Sequence, residues 1–205
     1  MGRATATKDA LEWAERHFGG PFDKESLARL IAAPSGSAVT ASIEFGNLSV
    51  KASHKGLDLV MERTFRPNGT VHHDLFRAEK APKGTGARIF ARQVANYVDL
   101  GLTSIDTLAA GNLGTLGLKP PRNWNGYLTW PKFGYNATLT PKLQSAAKTA
   151  GFEADDLHAL SLKHGDRGME WWKNNGGTPH MVFDLTDGSP HREILDAYIQ
   201  KRLRA

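Results

Sequence analysis

Three places in the chain hold residues that could do chemistry. The first is Lys83-Gly84-Thr85-Gly86-Ala87-Arg88. Here two glycines flanked by cations join an extended stretch to a helical one. Such a junction leaves backbone N–H groups open at a helix N-terminus, where unpaired donors and a partial positive charge suit a phosphate. The spacing is not the dinucleotide-binding fingerprint, because Ile89 stands where the third glycine belongs, and no Gly-Lys-Ser/Thr follows to make a Walker A loop. A tight strand-to-helix turn accounts for the glycines equally well. The second place is His72-His73, in an extended run from Val71 to Ala78. Neighbours in a strand point to opposite faces, and an imidazole that titrates near neutrality can accept a proton. Of the pair, His73 is the candidate base; a solvated hairpin end just after Asn68-Gly69 is the plainer reading. Glu44 and Glu62 are further carboxylates in mid-strand, and surface exposure explains them as well. The third place is Asp106, inside the apolar run 102–110. A buried carboxylate needs a partner, so it sits either at a strand end near a ligand or in a structural hydrogen bond.

Composition narrows the classes. The chain has 205 residues, 40% hydrophobic and 23% charged, which suits one soluble domain with appendages. It has no cysteine, so disulfides, thiolate metal sites and a cysteine nucleophile are excluded. Its histidines show no tight metal spacing, and no metal is expected. No Gly-x-Ser-x-Gly elbow marks a serine hydrolase. No run approaches the ~18 apolar residues of a membrane span, and the first ten residues lack the apolar core of a signal peptide. A cytoplasmic protein without a membrane partner is expected. The net charge of +5 favours acidic partners, phosphorylated cofactors or nucleic acid. The one dense basic group, Lys201-Arg202-Leu203-Arg204, also fits a terminal helix complementing its own dipole.

The elements that must position these residues follow from periodicity. Residues 5–18 and then Asp23 to Ala33 read as two helices, separated by Gly19-Gly20-Pro21. From 38 to 78 the period is two, with turns at Gly46-Asn47 and Arg66 to Thr70, giving three or four antiparallel strands. A helix from 86 to 100 carries Phe90, Val94, Tyr97 and Val98 on one face and ends at Gly101. The run 102–110 is a buried strand, so strand, helix and strand make a βαβ unit with a parallel pair. Beyond a loop from Gly111 to Arg122, a short helix over 123–130 is disturbed by Pro131, and 133–139 returns to extended chain. Thr140-Pro141 caps a helix to 150, helices over 154–163 and 167–175 follow, 181–185 is a strand, and Ser189-Pro190 opens a last helix. Trp171-Trp172 could stack on a base or sugar, or pack an added helix onto the body.

This order, with two spaced motifs, resembles the GNAT superfamily of acetyl-CoA-dependent acyltransferases. Lys83-Gly84-Thr85-Gly86-Ala87 is similar to the pyrophosphate-binding end of the family signature, with Ala81 where the family prefers Gln or Arg. Asn123, Trp130, Gly134 and Tyr135 match the spacing of a second motif, Asn, then Tyr seven residues on, then Gly-Phe four residues further. The likeness spans about 38–139, with 181–185 as a last strand. It implies an α+β fold: a mixed, mostly antiparallel sheet with a V-shaped splay, a helical segment at 1–34 packed on a domain of 35–205, and a helical insertion at about 140–180.

The resemblance further implies an acetyl-CoA (coenzyme A) cofactor and direct attack of a small-molecule or peptide amine on the thioester. Backbone groups of the strand that holds Phe76 and Ala78 would bind the cofactor, along with Lys83, Gly84, Thr85, Gly86, Ala87, Arg88, Asn123 and Trp130. Trp130 stands where many members carry the tyrosine that protonates the thiolate. An indole N–H does not ionise usefully near neutrality, so Tyr127 and Tyr135 are the candidate acids, with His73 and Asp106 on the base side. Three functions are consistent with the likeness: an N-acetyltransferase, a non-catalytic GNAT-like binding or structural module of a viral particle or toxin system, and, from basicity alone, an acyltransferase acting on aminoacylated RNA.

Overall fold

The computed structural model describes residues 3–119 and 123–203, with side chains through Lys201. Residues 120–122, at the end of the loop that begins at Gly111, and the side chains of the basic C-terminal group beyond Lys201 lie outside that description. The fold is α+β. Among the described residues are seven helices, and seven strands that lie in chain order across one mixed sheet. No helix among them is long and apolar enough to cross a membrane.

The first strand, β1 (Ala4–Ala6), pairs parallel with β2 (Ala38–Glu44). Sequence periodicity extends the first helix back over these residues. The structure instead starts α1 (Lys8–Phe18) at Thr7, whose hydroxyl accepts the Ala10 N–H at 3.2 Å and so caps the helix there. Three residues are too few for an alternating pattern to show. Asp23 caps α2 (Lys24–Leu30) by accepting the Ser26 N–H at 2.6 Å. Antiparallel ladders then join β2 to β3 (Asn47–His54), β3 to β4 (Leu59–Phe65) and β4 to β5 (Thr70–Ala78). After β5 comes α3 (Thr85–Asp99), then β6 (Ser104–Leu108), which runs parallel to β5. Gly101 adopts φ +70 just past α3, as a helix-ending glycine does.

By internal contacts the chain divides into two compact units. One holds Met1–Asp106, Asp184–Ser189 and Ile199–Ala205, and the other Thr107–Phe183 and Pro190–Tyr198. In the first unit α1 packs on β2 and β3, and α2 packs on β1, β2 and α3. Leu48, Val50, Leu59, Met61, Phe65, Val71, Phe90 and Tyr97 are buried there. Polar ties hold the helices in register. The Gln93 side-chain amide donates to the Ile31 carbonyl at 2.7 Å and the Asn96 amide to the Arg29 carbonyl at 2.6 Å.

In the second unit α4 (Gly126–Lys132) contains Pro131, which lacks the N–H that would bond the Tyr127 carbonyl. The indole N–H of Trp172 donates to that carbonyl instead, at 2.9 Å. Trp172 belongs to α6 (Leu157–Asn175), in which two helical stretches meet at a kink at Gly165 (φ 56, ψ −137), in keeping with the two helices read from the sequence pattern. Of the tryptophan pair, Trp172 is buried, and Trp171 is half-buried with its ring 6.1 Å from that of Phe152. The remaining elements are α5 (Pro141–Thr149), β7 (His180–Asp184) and α7 (Pro190–Leu203).

Candidate functional site

The geometry that matters begins at one irregularity in β5. Arg63 pairs with His73, yet Glu62 pairs with Leu75, so Asp74 is an extra residue in a β-bulge. Before the bulge, Val71 and His73 face the α3 side of the sheet with Arg63 and Phe65. After it, Phe76 falls opposite Met61 and lies on that same side: its ring is 5.8 Å from the Arg63 guanidinium carbon, and it would be 3.2 Å from a Cβ placed on Gly86. The ladder between β5 and β6 covers three rungs only, Thr70–Ser104, Val71–Ile105 and His72–Asp106, while β5 runs on six residues to Ala78.

That run of β5 leads directly into the glycine loop. Gly84 is the N-cap of α3 at φ +85, a conformation costly for any side chain, and it supplies no side-chain acceptor. The Thr85 N–H goes to the Pro82 carbonyl and the Arg88 N–H to the Gly84 carbonyl. The N–H groups of Gly86 and Ala87 have no protein acceptor among the described residues. Lys83 and Arg88 are exposed and no acidic residue occupies the first turn, so the helix terminus is open and electropositive. Ala78, the last residue of β5, is half-buried.

On the face of β5 away from α3, His72 Nδ1 lies 2.6 Å from Asp106 Oδ2. Arg66 grips the same carboxylate with both terminal nitrogens, at 2.5 and 3.4 Å, and also donates to the Thr70 hydroxyl. The other ring nitrogen, Nε2, is 3.9 Å from Asp74, which accepts the Thr64 hydroxyl at 2.9 Å. The hydrogen bond to Asp106 raises the pKa of His72, against the opposing pull of partial burial. Asp106 is thus the partner of His72 and not of His73.

His73 is 1% exposed. Its ring meets Phe90 and Tyr97 edge-on, and its Nε2 is 3.5 Å from the Tyr97 hydroxyl. Beside it, Arg63 is also 1% exposed. Its guanidinium donates to the carbonyls of Glu62 (2.8 Å) and Leu75 (2.7 Å) and to the Gln93 side-chain oxygen (3.3 Å). Burial first, then the charge of Arg63, drives the His73 pKa well below the ordinary value of 6.5. His73 is therefore a neutral member of the core.

A pH dependence follows from that assignment. Unfolded His73 takes up a proton near 6.5 while folded His73 does not, so stability falls as pH drops below 6.5. His72, raised instead, contributes stability that is complete below 6.5 and is lost only at higher pH, so it leaves the acid slope alone. A His73→Phe chain is expected to gain on the wild type by up to about 1.4 kcal/mol per pH unit below that point. Urea unfolding of both chains at several pH values between 7.5 and 5 checks it.

Of the candidates in the second unit, Tyr127 and Tyr135 are fully buried. The Tyr127 hydroxyl donates to the Lys173 carbonyl at 3.1 Å, and desolvation raises its pKa. The rings of Trp130 and Tyr135 are 5.2 Å apart, and Tyr135 lies 5.5 Å from Phe183. Asn123 is exposed. Arg63, Arg66 and Gln93 are not among the candidate site residues read from the sequence. Arg63 carried a signal: it keeps step with Leu59, Met61 and Phe65 on the inward face of β4. Among the described residues no cluster of three His, Cys, Asp or Glu could hold a metal ion. No family model, curated protein or solved structure matches the chain.

Proposed function

We propose that the protein is an acyl-CoA-dependent N-acyltransferase of the GNAT type. One observation carries the reading: β5 outruns its ladder with β6 by six residues and is followed by a glycine-capped helix in whose first turn the Gly86 and Ala87 N–H groups have no protein acceptor among the described residues. A strand edge of unladdered peptide groups suits an extended amide chain such as pantetheine. An open helix terminus flanked by Lys83 and Arg88 suits the pyrophosphate at its end. The parting of β5 from β6 after His72 and Asp106 agrees with the V-shaped splay expected of the fold. The residues fit the group: Gly84 has the positive φ that brings the backbone to an anion, and Phe76 lines Gly86 from below.

A bound acyl-CoA supplies an activated carbonyl carbon and a good leaving group. Peptide N–H groups of β5 near the bulge would stabilise the oxyanion, and Gly86 and Ala87 N–H would hold the diphosphate. The buried tyrosines do not supply an acid: the hydroxyl of Tyr127 is committed to Lys173, and Tyr135 is fully buried beside Trp130 and Phe183. In this reading the proton that neutralises the thiolate comes from the attacking amine. The same tyrosine burial favours the second reading, a non-catalytic module that keeps the fold and binds a partner.

Isothermal titration with acetyl-CoA tests the proposal. Binding with a Kd below ~1 mM, weakened at least tenfold in Gly84→Val, is the expected result. Absence of heat at that concentration, with the chain folded, would remove the acyltransferase reading and leave the module.

A further inference from the structure

The geometry points to His72, paired with Asp106, as the proton acceptor for the incoming amine, with Arg66 as the residue that positions Asp106. This rests on the acyltransferase reading above. Four observations carry it.

The first is place. His72 and Asp106 form the last rung of the β5–β6 ladder, so the pair stands where the open edge of β5 begins and two residues before the bulge at Asp74. A group at that point is next to the peptide groups that would face a thioester, without belonging to the cofactor edge itself.

The second is tautomer. Nδ1 is held by the Asp106 carboxylate at 2.6 Å, which makes it the protonated nitrogen of a neutral ring. The lone pair then sits on Nε2. No hydroxyl, amide or carbonyl group is bonded to Nε2 among the described residues; an Asp74 carboxylate oxygen lies 3.9 Å from it. The imidazole side chain is 24% exposed, enough for a small amine to reach.

The third is support. Asp106 is 9% exposed and receives the Arg66 guanidinium, so the carboxylate is held in orientation beside the imidazolium that forms. A merely structural ion pair would need neither the buried carboxylate nor the accessible second nitrogen. The fourth is charge. The groups facing the ring are Asp106 and Asp74, which favour a cation, and Arg66, which opposes one. The balance suits an ammonium arriving as substrate and a proton left on the ring, and His72 accordingly titrates above its ordinary value of 6.5.

The step balances. The ammonium gives one proton to His72 Nε2 and becomes an amine. Its lone pair forms the C–N bond at the thioester carbonyl, the C–S bond breaks, and a second proton from the same nitrogen passes to the departing sulfur. The products are an amide and a thiol, and His72 returns its proton to solvent. His73 takes no part, since it is buried on the other face.

The test uses two readouts on the full chain. Carbethoxylation with diethyl pyrocarbonate, mapped by mass spectrometry, reports the free Nε2 of each histidine. His72 is expected to react with a midpoint above pH 6.5, and Asp106→Asn to lower that midpoint. Acetyl-CoA at ten times its Kd is expected to slow the modification about tenfold. In parallel, acetyl transfer is measured to a lysine-containing peptide, spermidine and tyramine. His72→Gln is expected to keep its acetyl-CoA affinity within about twofold while losing roughly 10²–10⁴ in turnover. Arg66→Met is expected to shift the pH profile of turnover without changing acetyl-CoA affinity. If acetyl-CoA binds but leaves His72 unprotected, or if His72→Gln keeps full turnover, this inference is overturned and the cofactor reading stands. If acetyl-CoA does not bind at all, both fall. Where none of the three amines is acetylated, protection of His72 by itself decides the outcome.

Discussion

Gly134→Ala is expected to destabilise the protein by about 4–5 kcal/mol, at the extreme of single substitutions, whereas Gly151→Ala should cost only about 1–2 kcal/mol. Both glycines have positive φ, +93 and +85, so both replacements carry the backbone penalty of a left-handed residue. The difference lies in what the new methyl meets. At Gly151 it meets nothing within 4 Å; at Gly134 it runs into the carbonyl oxygen of His191, with a Phe183 ring carbon 3.1 Å away. A backbone oxygen cannot rotate aside as a long side chain can. The first turn of α7 or the segment 133–135 would have to move, and neither is free to. The Gly134 carbonyl is bound to the His158 ring at 2.9 Å, Asn136 exchanges hydrogen bonds with Val182, and the Phe133 ring rests on Tyr198. Chemical unfolding of both variants, with amide exchange followed across 126–198, checks it: exchange should accelerate throughout that span in Gly134→Ala and only near the loop in Gly151→Ala. Equal losses in the two variants would show that the close approach is not what the position demands.

The same glycine illustrates what the amino-acid sequence could and could not show. Strand and helix periods were legible because burial imposes them: β2 to β5, α3 and β6 stand where alternation and three-to-four spacing put them. Caps were legible where a side chain does the capping, as at Asp23 and Thr140. What stayed hidden was anything set by a single non-repeating event. β1 has three residues and no pattern of its own. The bulge at Asp74 is one extra residue, and it decides which side chains face α3 beyond it. Alternation puts Val71, His73 and Leu75 together on one face; the bulge places Leu75 opposite Glu62 and brings Phe76 against Arg63 and Gly86. For the candidate site the consequence is direct. A histidine pair names two bases, and only the sheet shows that His72 shares its face with Asp106 while His73 lies under α3. Asp106 itself was legible as a buried carboxylate in want of a partner, because an apolar run makes it anomalous.

Arg63→Met should cost about 3–6 kcal/mol, and the reason bears on the bulge. Replacing a buried ion pair by apolar groups is often neutral or stabilising, because two desolvated charges disappear together. Arg63 differs in the partners for which hydrogen bonds are seen: the carbonyls of Glu62 and Leu75 and the side-chain oxygen of Gln93. Those acceptors are backbone or are tied elsewhere, Gln93 by its bond to Ile31, so they stay in place when the guanidinium goes, the Gln93 oxygen fully buried and the two carbonyls partly so. Leaving each without a donor costs roughly 1–3 kcal/mol, and methionine recovers only the packing of the arginine stem. Desolvation of the cation, released on substitution, works in the opposite direction and sets the lower end of the range. A second consequence has a definite sign. Arg63 is one of the causes holding His73 neutral, after burial. Without it the His73 pKa should rise toward its ordinary value, and the acid-induced loss of stability below 6.5 should become shallower than in the wild type. Third, the guanidinium spans Glu62 and Leu75, residues on the two strands at the irregularity, so its loss should let the bulge relax and shift the edge of β5 that follows. If the proposed acyltransferase reading holds, acetyl-CoA affinity is then expected to fall in Arg63→Met even though Arg63 lies on the face away from His72. Urea unfolding at pH 7.5 and 5 together with titration by acetyl-CoA separates the three effects. A variant as stable as the wild type, with an unchanged acid slope, would mean that the carbonyls find other donors and that the bulge is held by β4 alone.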